Sequence, residues 1–116
     1  MTSVTCTGAS GRSYSFELHP WGVPFLPLSG VYIAARATSP NRWEALYVGE
    51  TQSFHDRVYA GLGSHDRMKR ARDRGATHIG VYFTFDDSER LRIESELIHT
   101  LMPPCNQQNA LRGLMR

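Results

Sequence analysis

Two glutamates two positions apart, Glu94 and Glu96, are candidates for acid–base or metal chemistry in this sequence. On a helical wheel of residues 91–102, at about 100° per residue, Glu94 lies in the middle of the apolar arc. A buried carboxylate needs a cation, hydrogen-bond donors or a proton. We therefore expect Glu94 either to pair with an arginine or to serve as a metal ligand or catalytic acid, and Glu96 to be solvated surface. The apolar arc comprises Leu91, Ile93, Leu97, Ile98, Leu101 and Met102.

Two tyrosines, Tyr32 and Tyr47, are predicted to project from one face of a β-sheet. Side chains alternate along a strand, and in the strand predicted over 30–36 the aliphatic residues alternate with Tyr32. In the next strand Leu46 and Val48 are expected to share the face opposite to Tyr47. If both aliphatic faces pack on one core, both hydroxyls emerge on the other side. Tyrosine is also a favourable strand residue, so a purely structural role stays open.

Positive charge is concentrated between positions 65 and 74, where five Lys/Arg and two Asp occur in ten residues. A solvated helix face and a surface that contacts phosphates are both compatible with this pattern. The formal net charge of +2 does not by itself indicate nucleic acid.

The chain of 116 residues, 41% of them hydrophobic, is long enough for one globular domain. No apolar run is long enough to span a membrane, and the N-terminus does not resemble a secretory signal. We therefore expect a cytoplasmic protein without a membrane partner. In that compartment Cys6 and Cys105 are expected to be free thiols. Five histidines occur without a zinc-binding motif.

These residues are carried by elements predicted in the order β-β, β-β, α-α, β, α, which indicates an α/β (α+β) domain. A β-hairpin and a Pro-rich loop occupy residues 1–28. The domain proper, residues 29–116, is predicted to contain a small three-stranded antiparallel sheet flanked by helices. Ser53 is the expected N-cap of the first helix, Gly75 ends the second, and Pro103 ends the last.

Several of these segments together resemble the GIY-YIG nucleases. Gly30-Val31-Tyr32 and Tyr47-Val48-Gly49 resemble the two tripeptides that name the family, and the segment after them resembles its first helix, with Arg57 as the arginine. The stretch ESELIHTLMPPCN resembles the helix that bears the family's metal-binding glutamate, here Glu94, followed by Asn106. The resemblance covers about residues 29–109. Valine replaces isoleucine in both tripeptides, and Glu50 stands where several members have lysine.

The resemblance implies a metal-dependent endonuclease that hydrolyses phosphodiester bonds in DNA. Glu94 would hold one Mg²⁺ or Mn²⁺, and Arg57 would bind the scissile phosphate. Tyr32 or Tyr47 would deprotonate or orient the attacking water. Asn106 would orient the Glu94 end of the site, or would simply cap the turn after the two prolines.

Further roles follow from the same resemblance. His65 would approach the scissile phosphate, and four basic residues would contact backbone phosphates: Arg67, Lys69, Arg70 and Arg74. The expected partner is duplex or branched DNA, in repair or recombination, with a possible homodimer. A catalytically inactive nucleic-acid-binding module of the same fold is the alternative, and a domain that binds partner proteins is a third hypothesis.

Overall fold

A computed structural model describes residues 2–107, in which five strands form one antiparallel sheet. The strands are β1 (Ser3–Thr7), β2 (Ser13–Pro20), β3 (Gly30–Ser39), β4 (Arg42–Thr51) and β5 (His78–Phe83). They pair in the order β1-β2-β5-β3-β4. The helical segments are a π-helical turn (Asp56–Ala60), a 3₁₀ turn (Leu62–Ser64), α1 (Asp66–Asp73) and α2 (Asp87–Leu101). The predicted α+β architecture with an antiparallel sheet is confirmed.

The expected three-stranded sheet is wrong, because the N-terminal hairpin belongs to the same sheet. Strand β2 pairs antiparallel with β5, with Leu18 opposite Gly80, and extends the β5-β3-β4 unit to five strands. Along β2, Tyr14, Phe16 and Leu18 are buried and alternate with exposed residues. This alternation predicts a strand with one core face, but it does not say which strand lies beside it.

Each sheet face carries its own core. On one face Val31 and Ile33 pack with Ile93 and Leu97 of α2. On the other face, Tyr32 packs beneath the π-helical turn and α1 in a second cluster. The sheet face that carries the tyrosines is therefore covered by helices. Cys6 and Cys105 are free thiols, as expected, and they are buried in different clusters.

A β-bulge in β4 alters the predicted alternation of side chains. Ala34 lies opposite Tyr47, whereas the next residue, Ala35, lies opposite Ala45, so that Leu46 is the extra residue. An extra residue in one strand rotates the side chains around it. Leu46 consequently packs in the same cluster as Tyr32, and the expectation that it shares a face with Val48 is wrong.

The helical wheel placed the buried face of α2 incorrectly. Leu91, Leu101 and Met102 are exposed, while Arg90 is buried with Ile93 and Leu97. That stripe lies between the two glutamates on the wheel, and both are partly buried. Glu94 is therefore at the edge of the buried face instead of its centre, and Glu96 is not solvated surface. The N-cap is Asp86, whose carboxylate accepts the Glu89 backbone N–H at 3.1 Å.

Ser53, the predicted N-cap, lies at the start of the helical segment that carries Arg57. The Ser53 hydroxyl accepts the Asp56 backbone N–H at 3.2 Å, and a 2.8 Å bond from Gly61 N–H to Asp56 C=O closes the π-helical turn. π-Helical turns are rare in proteins, and those that do occur are often found at functional sites. Gly75, at φ 105°, follows α1 in a conformation that favours glycine. Within residues 2–107, no helix is long and apolar enough to cross a membrane.

Candidate functional site

Tyr32 lies beneath the π-helical turn and α1, in the cluster that covers this face of the sheet. Its side chain is only 1% exposed, and its hydroxyl lies 2.7 Å from Nε2 of His65. Burial and then the neighbouring Tyr47 raise the pKa of Tyr32, while Arg57 lowers it. A Cβ added to Gly49 would lie 2.5 Å from the Tyr32 hydroxyl oxygen. The glycine of the second tripeptide therefore provides room for the tyrosine of the first.

His65 joins the tyrosine to the basic helix. It is the N-cap of α1, where Nδ1 accepts the Met68 backbone N–H at 3.4 Å, and its side chain is buried. Burial and then the charge of Arg57 lower the pKa of His65 to about 4. The imidazole is therefore neutral near pH 7. The structure places His65 against Tyr32, and its approach to a scissile phosphate stays a prediction.

Tyr47 lies beside Tyr32 and is more accessible. Its ring centroid is 6.1 Å from that of Tyr32 and 5.4 Å from that of His65, and its side chain is partly exposed. Burial and then the charge of Glu94 raise the pKa of Tyr47, while Arg67 and Arg57 lower it. The two tyrosines predicted to share a face do so, and charged groups of both signs surround the outer one.

Arg57 is exposed and lies in the π-helical turn. Its guanidinium lowers the pKa values of Tyr32, Tyr47 and His65, so it lies near all three. An exposed guanidinium beside the two tyrosines can bind a phosphate oxygen that approaches them from solvent.

Glu94 is a partly buried carboxylate beside a second acidic residue. Burial and then the charge of Glu50 raise the pKa of Glu94, while the Glu50 backbone N–H lowers it. Within residues 2–107, no Lys, Arg or His nitrogen lies within 4.0 Å of the Glu94 carboxylate. The arginine partner that the sequence left open is therefore not found in this range.

Glu50, in contrast, is paired with an arginine that sequence reasoning missed. Nε of the buried Arg90 lies 2.6 Å from the Glu50 carboxylate, and its Nη1 lies 2.8 Å from Asp87. The Asp87–Arg90 spacing of one helical turn was the available signal. Arg90 neutralises part of the negative charge that Glu50 brings to the site.

Asn106 is bound to the outer edge of the sheet. Its side chain accepts the Val48 N–H at 2.8 Å and donates to the Val48 C=O at 2.9 Å. These two hydrogen bonds satisfy backbone groups of the edge strand β4 next to Tyr47. The Asn106 side chain therefore does not cap the Pro103-Pro104 turn. Nearby, Nη1 of Arg67 donates to the Cys105 carbonyl at 2.7 Å.

The other predicted phosphate contacts lie farther along α1. Lys69, Arg70 and Arg74 are exposed. Arg72, for which the sequence suggested no role, donates to the Ala76 carbonyl at 2.6 Å, and its guanidinium lies 5.4 Å from the Trp21 ring centroid. Two arginines of the basic segment, Arg67 and the exposed Arg72, thus make structural hydrogen bonds, and the three predicted contacts Lys69, Arg70 and Arg74 are exposed.

The donor atoms of the site fit a hard divalent cation. Mg²⁺ is commonly held by one or two carboxylates with water completing its shell, and Glu94 and Glu50 provide adjacent carboxylates. The raised pKa of Glu94 is the response expected of a carboxylate whose charge no protein cation balances. No group of three or more His, Cys, Asp or Glu suited to a metal occurs in the part of the chain that the structure describes. An all-protein cage of the zinc type is therefore not found there.

Comparison with protein-family models, curated proteins and solved structures finds no match to this chain.

Proposed function

We propose that this protein is a metal-dependent DNA endonuclease of the GIY-YIG type. The observation that carries the proposal is Glu94, a partly buried carboxylate near the outer tyrosine, for which no cation partner is found among residues 2–107. A structural carboxylate in such a place would be expected to have an arginine partner, as Glu50 does in Arg90. A carboxylate that awaits a divalent cation would not.

The side chains of the candidate site would have complementary roles in phosphodiester hydrolysis. Arg57 would bind a non-bridging phosphate oxygen and stabilise the charge that develops there. A tyrosine hydroxyl would orient the attacking water. Asn106 would hold the edge strand that carries the outer tyrosine. Mg²⁺ or Mn²⁺, when bound at Glu94, supplies charge stabilisation at the leaving oxygen and the phosphorus.

The substrate would be duplex or branched DNA, held by its backbone. Lys69, Arg70 and Arg74 form an exposed basic surface on the helix that begins at His65. Such a surface contacts phosphates without reading bases. One site cuts one strand, so double-strand cleavage would require a homodimer or two binding events. Repair or recombination in the cytoplasm would supply such substrates.

The test is a cleavage assay with supercoiled plasmid and with branched and flapped DNA. Each substrate is incubated with Mg²⁺, Mn²⁺ or EDTA, using the wild-type chain and a Glu94→Ala variant. We expect metal-dependent cutting that Glu94→Ala removes. Glu89→Ala is the matched control, since Glu89 lies about 140° around the same helix from Glu94.

Two outcomes would decide against the proposal. Metal-dependent cutting that survives Glu94→Ala would reject Glu94 as the metal ligand. If no substrate is cut while DNA is still bound, the chain is instead a nucleic-acid-binding module with this fold.

A further inference from the structure

The N-terminal segment, residues 13–28, has no part in the proposed hydrolysis, yet it builds most of an apolar pocket. The volume of this pocket is about 450 Å³, within the range of sites that hold small ligands. Its apolar walls come from the loop after β2, from β5 and from the start of the helical segment: Phe25, Leu26, Leu28, Phe54, Val81 and Phe83. We call it the aromatic pocket.

The aromatic pocket lies on the sheet face that carries Tyr32. Along β2, Glu17 of the pocket alternates with side chains that are buried on the α2 face, so it points to the other face. Val81, in the pocket wall, lies opposite Tyr32 in the pairing of β5 with β3. Phe54 precedes Arg57 by three residues. A ligand in the pocket would therefore lie on the side of the sheet where Arg57 is proposed to bind phosphate.

The walls of the aromatic pocket suit a flat ligand. Phe83 is 43% exposed and Phe25 is partly exposed, so their rings are accessible from solvent. The Phe25 ring centroid lies 5.4 Å from that of His19 and 6.4 Å from that of Phe54. Unpaired bases of any sequence stack on accessible aromatic side chains of this kind. A nucleobase is therefore a ligand that matches these walls.

The polar rim of the pocket favours an uncharged ligand that donates hydrogen bonds. The Glu17 carboxylate lies 2.7 Å from Nε2 of His19, and the Glu17 side chain is 49% exposed. Within residues 2–107, the lining of this pocket contains no Lys or Arg, so a phosphate there would meet a carboxylate. An exocyclic amino group of cytosine or adenine can instead donate to that carboxylate. The pocket thus suits the base of a nucleotide and not its phosphate.

A second pocket, of about 340 Å³, combines an aromatic ring with positive charge. It is lined by Trp21 and by Lys69, Arg72 and Asp73 of α1. Trp21 is partly exposed, and the Arg72 guanidinium lies 5.4 Å from its ring centroid. Aromatic rings and guanidinium planes both stack on bases, and an ammonium group can pair with the adjoining phosphate. Trp21 and Phe25 belong to one loop, so the same loop lines both pockets.

Aromatic side chains reach the bases of DNA only where the strands are separated. In a continuous duplex each base is paired and stacked, and its extrusion costs free energy. A strand that is already unpaired does not bear this cost. The two pockets therefore favour DNA with a single-stranded segment over a continuous duplex.

We propose that residues 13–28 form a binding surface for an unpaired DNA strand, with one base against Trp21 and another in the aromatic pocket. That this strand belongs to the DNA being cut rests on the proposed nuclease function, whereas the binding itself does not. The preferred substrate is then flapped or branched DNA with a single-stranded arm. The N-terminal hairpin, which lies outside the resemblance to the GIY-YIG nucleases, is the element that selects it.

Tryptophan fluorescence tests the contact at Trp21, with EDTA present so that no strand is cut. The chain has two tryptophans, and Trp43 packs in the cluster on the opposite sheet face. The emission of a Trp43→Phe protein therefore reports Trp21 alone. We expect single-stranded oligodeoxycytidylate to quench this emission, and a blunt duplex of the same length to quench it less. No quenching, or equal quenching by the duplex, would overturn the proposal and favour a partner protein at this surface.

The affinity for the same oligonucleotide, measured by fluorescence anisotropy, tests both pockets. Trp21→Leu and Phe83→Leu keep apolar side chains and remove the aromatic rings. Each should raise the Kd for the single strand by about fivefold or more, the lower end of the range for losing one base stack, and leave the Kd for the blunt duplex unchanged. An unchanged Kd for the single strand in either variant would overturn the proposal.

Tyr59→Leu is the matched control for these variants. Tyr59 is 42% exposed, close to the value for Phe83, and it lines neither pocket. Its replacement should leave the Kd for the single strand unchanged. Circular dichroism shows whether each variant is folded, and the quenching of Trp21 decides the proposal in a protein whose two pockets are intact.

Cleavage separates this proposal from the nuclease proposal. If the wild type cuts DNA, flapped DNA should be cut faster than a matched duplex, and Phe83→Leu should remove the difference. Protein that cuts plasmid but does not bind oligodeoxycytidylate would overturn the role of residues 13–28 and retain the nuclease. Protein that binds the single strand through Trp21 and cuts no DNA would overturn the nuclease and retain the binding surface.

Discussion

Glu96 accepts the backbone N–H of Ser10 at 3.1 Å and the hydroxyl of the same residue, and so joins α2 to the turn between β1 and β2. The Tyr14 hydroxyl at 3.3 Å and Arg92 at 2.7 Å complete its contacts. A Cβ on Gly8 would lie 2.6 Å from Oε1 of the same carboxylate, which explains a glycine at that position. The glutamate that the sequence assigned to the solvent is therefore an anchor for the hairpin.

Replacing Glu96 should destabilise the fold. Glu96→Ala removes the acceptor of two Ser10 groups, so we expect a lower Tm, with a smaller decrease for Glu96→Gln, which keeps an acceptor. The hydrogen bonds from Ser10 and the charge of Arg92 lower the pKa of Glu96. Its contribution is therefore present above the ordinary value of 4.5 and is lost as pH falls through the lowered folded pKa.

Thermal denaturation followed by circular dichroism at several pH values checks this prediction. The Tm difference between wild type and Glu96→Ala should shrink on acidification. Glu89→Ala, on the same helix, should leave Tm close to wild type. A Glu96→Ala protein as stable as wild type at pH 7 would contradict the anchoring role.

The wrong prediction for Glu96 arose because a helical wheel contains no information about the elements that pack on the helix. The apolar positions of α2 predict a helix, but its orientation depends on what covers it. Once β2 extends the sheet, Tyr14 and the hairpin turn lie against the Glu96 side, and Leu91 is left exposed. The pairing of β2 with β5 is a contact between distant parts of the chain, and no local pattern specifies it.

We expect the charged Glu94 carboxylate to lower the stability of the folded protein and to be necessary for DNA cleavage. Because burial and Glu50 raise its pKa, the charged carboxylate is disfavoured in the folded state above that pKa. Glu94→Gln should therefore have a Tm equal to or above that of wild type, while cleavage falls by about 10³-fold, the loss of roughly 4 kcal/mol of transition-state stabilisation.

A metal titration separates this prediction from a purely structural role for Glu94. Ligands that bind the folded state raise Tm, so millimolar Mg²⁺ or Mn²⁺ should stabilise wild type and leave Glu94→Gln unchanged. Glu89→Gln should respond as wild type does. An equal metal response in the Glu94 variant would place the cation elsewhere.

Asn106 should contribute to stability through the sheet edge. Asn106→Ala leaves the Val48 N–H and C=O without their partner, so we expect a loss of about 1–3 kcal/mol in the free energy of unfolding. Urea denaturation measures this as a lower midpoint at unchanged slope. Gln107→Ala is the neighbouring control, and a midpoint for Asn106→Ala equal to that control would contradict the assignment.

Positions within one element were more predictable than contacts between elements, for a physical reason. Tyr32 and Tyr47 share a sheet face, as predicted, because the alternation of side chains along a strand is a local property. The contacts that define their roles join separate elements: Tyr32 to His65 at 2.7 Å, and Arg90 to Glu50 at 2.6 Å. Such contacts become visible only once the fold brings the elements together.

His65 should make the stability depend on mildly acidic pH. Its folded pKa of about 4 lies below the ordinary value of 6.5, so the unfolded state takes up the proton first. Its contribution is complete above pH 6.5, falls as pH decreases toward 4, and changes no further below that. Arg57 and Arg67 lower this pKa and Asp66 raises it.

Comparing wild type with His65→Asn isolates this effect, because the other four histidines are common to both. We expect the Tm advantage of wild type over the variant to decrease steadily between pH 6.5 and pH 4. A difference that stays constant over this range would show that His65 titrates normally in the folded protein.

The exposed basic residues of α1 should account for salt-dependent DNA binding. Each Lys or Arg that neutralises a phosphate releases counterions, so the slope of log K against log salt changes by about 0.9 for each such residue that is removed. We expect Lys69→Ala, Arg70→Ala and Arg74→Ala each to reduce the magnitude of the slope by about this amount and to weaken all sequences equally. Arg42→Ala, which removes an exposed arginine at the start of β4, should leave the slope unchanged.

Fluorescence anisotropy with duplex DNA in the presence of EDTA, at four or more salt concentrations, measures this slope without cleavage. An unchanged slope in all three α1 variants would exclude α1 as the DNA-binding surface.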